Sequence, residues 1–152
     1  MALPNFYKLH MFNDTGVTLD FSVDDTIEVV GLPWKRVDGD LTYGSAITLL
    51  STSADLADQA QVEGSEIDNT TNLYDGLFVK VKLTSDDSPD GNILFYLEWN
   101  SEDSSGQNDY PSDATDFDAA RMDTDLTLVG ILTPEGAADD QVATNFIISF
   151  AG

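Results

Sequence analysis

His10 is the only histidine in a chain of 152 residues that has no cysteine and 28 aspartates and glutamates. That inventory bounds the chemistry. A hydroxyl nucleophile needs a base beside it, and His10 stands between Leu9 and Met11 in the first strand candidate, the setting of a surface or packing histidine rather than a catalyst. Thiolate nucleophiles, disulfides and cysteine zinc sites are excluded. No glycine-rich phosphate loop occurs. Paired carboxylates perform acid and base steps in glycoside cleavage, but among 28 acids close pairs arise by number alone and single out no residue. The chain therefore reads as a binding protein and not an enzyme.

The most credible ion site is the run Asp86-Asp87-Ser88-Pro89-Asp90-Gly91. Asp86, Ser88 and Asp90 place oxygens at alternate positions before a glycine, like the opening of an EF-hand loop, and calcium takes such oxygens. Leu97 fills the twelfth position, where that loop needs a bidentate glutamate, and no helical pattern flanks it. An ion-free aspartate turn is the simpler reading, so no cofactor is expected and calcium is the ion to test. Partner contact has its own candidates. Trp34, Lys35 and Arg36 form the one place where two basic residues adjoin an aromatic, a composition typical of interface hot spots; the alternative is a tryptophan covering one end of the fold. Tyr110 and Phe117 sit in an otherwise polar stretch and would anchor it to a sheet or to a neighbouring subunit.

Strands must position these residues, because apolar side chains recur at every second place. Val17 to Val23, Leu77 to Leu83, Ile93 to Trp99, Leu126 to Ile131 and Phe146 to Phe150 carry the alternation, with Leu126 and Leu128 facing one way and Val129 and Ile131 the other. Phe6 to Phe12, Thr26 to Val30 and Ala46 to Thr52 are weaker candidates. Turn residues separate them at Asn13-Asp14-Thr15-Gly16, Leu32-Pro33, Asp38-Gly39 and Ser88-Pro89-Asp90-Gly91. About eight short strands predict an all-β antiparallel sandwich of jelly-roll or Greek-key type, with an up-and-down barrel as the rival. Leu77–Leu83 and Ile93–Trp99 are expected to pair as a hairpin at the centre of a sheet. The whole of residues 1–152 reads as one domain, with long loops near 54–75 and 101–125 and a short helix expected around Ala54 to Gln61.

Only six lysines and arginines oppose the acids, giving a formal net charge of −22. Nucleic-acid backbones and anionic membranes would repel such a chain. Much of the acid is aspartate in turn-like runs, where it bonds backbone amides, and about half of the charge is assigned to that local role. The rest suits solubility, a basic partner or a salty habitat. Met1-Ala2-Leu3-Pro4 lacks the basic start and apolar run of a signal peptide, which predicts synthesis in the cytoplasm and use without export by that route. The glycosylation sequons at Asn13 and Asn69 are then chance matches.

Residues Gly76 to Phe150 resemble small structural proteins of tailed bacteriophages. The resemblance rests on the strand Gly91-Asn92-Ile93-Leu94-Phe95-Tyr96-Leu97-Glu98, the Ser/Asp/Gly-rich loop after it, then Tyr110-Pro111-Ser112-Asp113, Asp116-Phe117-Asp118 and a final strand pair. It implies a β-sandwich on the virion, decorating the capsid or belonging to a tail or fibre, that binds copies of itself and a shell protein. An acidic DNA mimic and a carbohydrate-binding module, with Trp34, Trp99 or Tyr110 as the sugar platform, are the competing classes.

Overall fold

The computed structural model describes residues 3, 5–21, 26–84, 91–100, 126–134 and 142–149. These form ten strands in two antiparallel sheets that pack face to face as a β-sandwich. The first sheet is built on β1 (Phe6–Asp14) and β8 (Asn92–Asn100), with β9 (Leu126–Leu132) beyond β8. Two short strands, β5 (Gln61–Glu63) and β6 (Ile67–Asp68), share the outer side of β1. The second sheet is built on β2 (Ile27–Val37) and β7 (Gly76–Leu83), with β10 (Val142–Ser149) beyond β7. Its outer side is again covered by two short strands, β3 (Asp40–Tyr43) and β4 (Ile47–Thr52), both on β2. β1 and β8 pair in one sheet while β2 and β7, which lie between them in sequence, pair in the other, the interleaving expected of Greek-key connections.

Strict alternation builds the core. Leu77, Val79, Val81 and Leu83 of β7 are buried with Ile27 and Val29 of β2, and they meet Tyr7, Leu9, Met11, Ile93, Phe95 and Leu97 of the first sheet. Each fully buried side chain of this size contributes about 1.5–3 kcal/mol. Two bulges adjust the phase. Leu49 is the extra residue opposite the Val29–Val30 step, so it and Leu50 are both buried although adjacent. Val129 is the extra residue opposite the Phe95–Tyr96 step, and in consequence Leu128 and Ile131 are both exposed, where simple alternation put them on opposite sides.

Several expectations are corrected. β7 and β8 do not form a hairpin: β7 lies between β10 and β2, and β8 between β1 and β9, each central in its own sheet. Of the strand expected over Val17 to Val23, residues 17–21 join no ladder and make one bridge, Leu19 to Leu56, while 22 and 23 lie outside the described residues. Leu32-Pro33 is not a turn but lies inside β2. Proline is tolerated there because β4 covers β2 only up to Gly31 and β3 only from Trp34, so the missing N–H falls in the gap between them, on the side where the Pro33 carbonyl accepts from Gly44 N. No helix forms over 54–61; that segment carries a turn at Asp58-Gln59 and leads into β5. Asp38 (φ 51°) and Gly39 (φ 94°) make the expected two-residue hairpin turn between β2 and β3.

The loops hang on two buried asparagines. Asn13 Nδ2 donates to the carbonyls of Val17, Leu56 and Ala57, at 2.8, 2.9 and 3.1 Å. Asn69 donates to Leu3 and Tyr74 carbonyls and accepts from Tyr74 N. Both sequon asparagines are thus interior posts with their amides engaged, which agrees with reading the sequons as chance.

Candidate contact face

The pleat that sends Leu77, Val79, Val81 and Leu83 inward sends Gly76, Phe78, Lys80 and Lys82 out, and the ladders align the rest of that outer surface. Leu32 and Ile147 lie opposite Phe78, on either side of it. Val30 and Asn145 lie opposite Lys80, Glu28 and Ala143 opposite Lys82, and Trp34 opposite Gly76. On the far side of β2, Tyr43 faces Trp34 and Leu41 faces Arg36. The middle of this face is apolar and open to solvent: Leu32 is 36% exposed, Phe78 36%, Tyr43 56% and Ile147 59%. Val30, Leu32, Phe78 and Ile147 line an open groove of about 690 Å³. Basic groups stand at both ends, Arg36 at one and Lys80 with Lys82 at the other, three of the six in the chain, with Glu28 as the one acid on these strand positions.

Trp34 organises the aromatic end. Its ring lies over Gly76, where a Cβ would sit 2.5 Å from the indole, so only glycine leaves room for it. It is 9% exposed and its centroid is 6.0 Å from that of Phe78, which in turn lies 6.2 Å from Tyr43. Trp34 is therefore a support under the face, and Tyr43 is the aromatic that meets solvent. The indole Nε1 is buried with no hydrogen-bond partner among the described residues. Lys35 is engaged by the loop between β6 and β7: Nζ donates to the Asn72 carbonyl at 2.9 Å and stands 5.6 Å from the Tyr74 ring centroid. Arg36 is held through its backbone, with N donating to Asp75 Oδ2 at 2.8 Å. The contact candidates Trp34, Lys35 and Arg36 thus divide into a support, a loop clasp and a rim cation.

No family model, characterised protein or solved structure matches the chain.

The other chemistry-bearing groups have structural occupations. His10 is fully buried on the side of β1 turned from the core; Nε2 donates to Glu98 Oε2 at 2.8 Å and Nδ1 lies 3.3 Å from Gln61 Oε1. Both ring nitrogens are engaged and the ring has no solvent access, so of the surface and packing roles expected of it His10 takes the packing one. Five acids bond the backbone or side chains of turns: Asp14 accepts from Gln59, Asp55 from Phe21 N, Asp58 from Gly16 N, Asp68 from Thr70 and Asp75 from Arg36 N. The Thr70 hydroxyl and amide hold the Asp68 carboxyl below the ordinary carboxylate range. This is the kind of local role expected of aspartate in turns, though the runs Asp24-Asp25, Asp86-Asp87 and Asp139-Asp140, from which it was expected, lie outside the described residues. The calcium candidates Asp86, Ser88 and Asp90, and the anchors Tyr110 and Phe117, lie outside the described residues. Among the described residues no three acids or histidines are grouped to hold a metal ion, and no helix is long and apolar enough to cross a membrane.

The apolar outer face escaped sequence reading because its residues are interspersed with core positions. Leu32, Phe78 and Ile147 each follow or precede a buried residue, so in the chain they look like additions to the core. A usable signal was present in Phe78, the one aromatic among the outward positions of β7.

Proposed function

We propose that the chain is a non-enzymatic structural protein that works through complementary surfaces, most specifically a capsid decoration protein on the virion of a tailed phage. The observation that carries this reading is the outer face of the second sheet. Exposed apolar patches on soluble domains mark contact surfaces, and this one has an apolar middle with charged ends, the anatomy of a protein interface. The resemblance of residues 76–150 to phage structural proteins supports the virion setting, and the sandwich fold is the one that resemblance implies. The acidic remainder of the surface suits approach to a basic patch on a shell and keeps free copies apart before assembly. A tail or fibre location is the same reading at another place on the particle.

The test is to purify particles made by the genome that encodes the chain and to quantify the protein on them by mass spectrometry, then to locate it by cryo-electron microscopy of the particle. Regular copies bound outside the shell are the expected result. Absence from intact particles would sink the proposal, and presence only at a tail or fibre would move it there.

A further inference from the structure

We infer that a second copy of this chain adds on at the open side of the sandwich, β10 pairing antiparallel with its own counterpart about a two-fold axis so that two second sheets become one. This surface is the edge of the sandwich and not the face assigned above to a shell, and the inference does not rest on that assignment.

The first argument is the contrast between the two sides. A strand at the edge of a sheet leaves a row of N–H and C=O groups unpaired, and soluble proteins guard such rows with short or broken strands and with charge. One side of this sandwich is guarded in that way. Its edges are β3 with β4 and β5 with β6, strands of two to six residues, with Asp40, Glu63 and Asp68 among them. The opposite side is not. There β10, of eight residues, and β9, of seven, each end a sheet, and among the described residues each has a strand beside it on one side only. Neither strand contains a charged residue or a proline, in a chain of which 22% is charged. β10 also runs beside β7 from Val142 to Ser149 without a bulge, so its free edge is straight and continuous.

The core is incompletely closed on the same side. The Phe146 ring stands 5.7 Å from that of Phe95 and packs over Gly130 of β9, which brings the two free edges together. Phe146 and Val129 pack against the buried core yet stay partly exposed, whereas Leu77, Val79, Val81 and Leu83 of the central strand β7 are sealed.

These edges fit a second copy. Two identical strands set antiparallel are related by a two-fold axis, so the unpaired donors and acceptors of each meet those of the other with no further demand on sequence. Two chains of formal charge −22 repel one another, and β10 offers a line of contact along which no acid faces an acid. A two-fold axis that pairs β10 with its counterpart crosses both layers, so it also sets β9 beside its counterpart and covers Phe146 and Val129. A lone strand from another protein would leave a new open edge one strand further out. The sheet of a second copy ends instead on its own guarded side.

The experiment is amide hydrogen exchange of the full chain, read by NMR below and above the dimerisation concentration found by sedimentation equilibrium. It is run in about 1 M sodium chloride, where the Debye length is about 3 Å and the repulsion between copies is screened. As the dimer fills, every second amide between Ala143 and Ile148 should slow at least about tenfold, while those of β3 and β5 exchange as before. Association should weaken as salt is lowered toward about 0.01 M. Ala143→Asp combined with Asn145→Asp, at two exposed positions of β10, sets acid against acid across the axis. It should weaken dimerisation at least about tenfold relative to Val17→Asp combined with Leu41→Asp, which adds the same charge at exposed positions away from β9 and β10. Circular dichroism checks that both double variants fold. A chain that stays monomeric at high concentration and high salt overturns the inference. So does a dimer whose β10 amides exchange as in the monomer, a monomer in which those amides are already protected, or equal weakening by the two double variants. Each of those results leaves the particle-binding test standing, since the shell is assigned a different surface; conversely, a β10-paired dimer absent from particles would retain this interface and remove the virion role.

Discussion

His10 Nε2 lies 2.8 Å from Glu98 Oε2, and both side chains are buried on strands that neighbour each other in the first sheet. A buried charged or polar pair adds little over a well-packed apolar substitute, but removing one member leaves the buried atom that faced it without that bond. His10→Ala and Glu98→Ala are each expected to destabilise the fold by about 3 kcal/mol or more, read by urea denaturation. The double variant should lose much less than the two losses added together, since neither member remains to face the gap left by the other. Additive losses would show that the two groups do not act as a unit.

Asn13 joins three carbonyls that otherwise belong to no strand, and through Leu56 it braces the Leu19–Leu56 bridge. Asn13→Ala removes the amide that reaches all three and should cost about 2 kcal/mol. The local signature is sharper than the global one. Leu19 N and Leu56 N bond each other's carbonyls, so their amide hydrogen exchange should accelerate more than that of the β7 amides. Uniform acceleration across the sandwich would mean that Asn13 supports the fold only globally.

What was legible in the chain follows from these cases. Period-two alternation revealed β7, β8 and β10, and β1 only as a weaker candidate, because one side of each strand meets a continuous core. It could not reveal β3, β5 and β6, since strands of two to four residues covering an edge have no period to read. It misjudged residues 17–21 for the opposite reason: Leu19 and Phe21 are buried as in a strand, yet a single bridge takes the place of a ladder. Pairing was the least readable. β7 and β8 are neighbours in sequence with a turn-like segment between them, and nothing local distinguishes a hairpin from a crossing between sheets. The polar posts were hidden too, because Asn13 and Asn69 sit in turn-like and sequon contexts that look exposed.

Gly76 lies on the second sheet beneath Trp34, and a Cβ there would come within 2.5 Å of the indole and 2.6 Å of the Ile148 carbonyl. The carbonyl is held in the β7–β10 ladder, so the clash cannot be relieved by turning a side chain alone. Gly76→Ala is expected to lower stability by about 1–3 kcal/mol, the usual result of overpacking. Tilting of the Trp34 ring should also disturb Phe78 and Tyr43, and near-ultraviolet circular dichroism would register it. An unchanged aromatic spectrum together with unchanged stability would contradict the close approach.

Tyr7 supplies a test on the alkaline side. It is among the largest fully buried side chains in the core, and burial pushes its hydroxyl pKa well up, with the phenol of Tyr74 adding to the effect. The native state therefore keeps this proton at a pH where the unfolded chain, whose tyrosines ionise near 10, has released it. Above that point the unfolded state binds fewer protons than the native state, so stability falls as pH rises. The contribution is complete below the unfolded value and is lost progressively as pH climbs toward the native one. Tyr7→Phe has no such proton to lose. Its unfolding free energy should decline less steeply than that of the parent between about pH 10 and pH 11.5, and the difference between the two should be flat below about pH 9. Denaturant unfolding at a series of pH values measures both slopes, and parallel slopes would mean that Tyr7 titrates alike in the folded and unfolded chain.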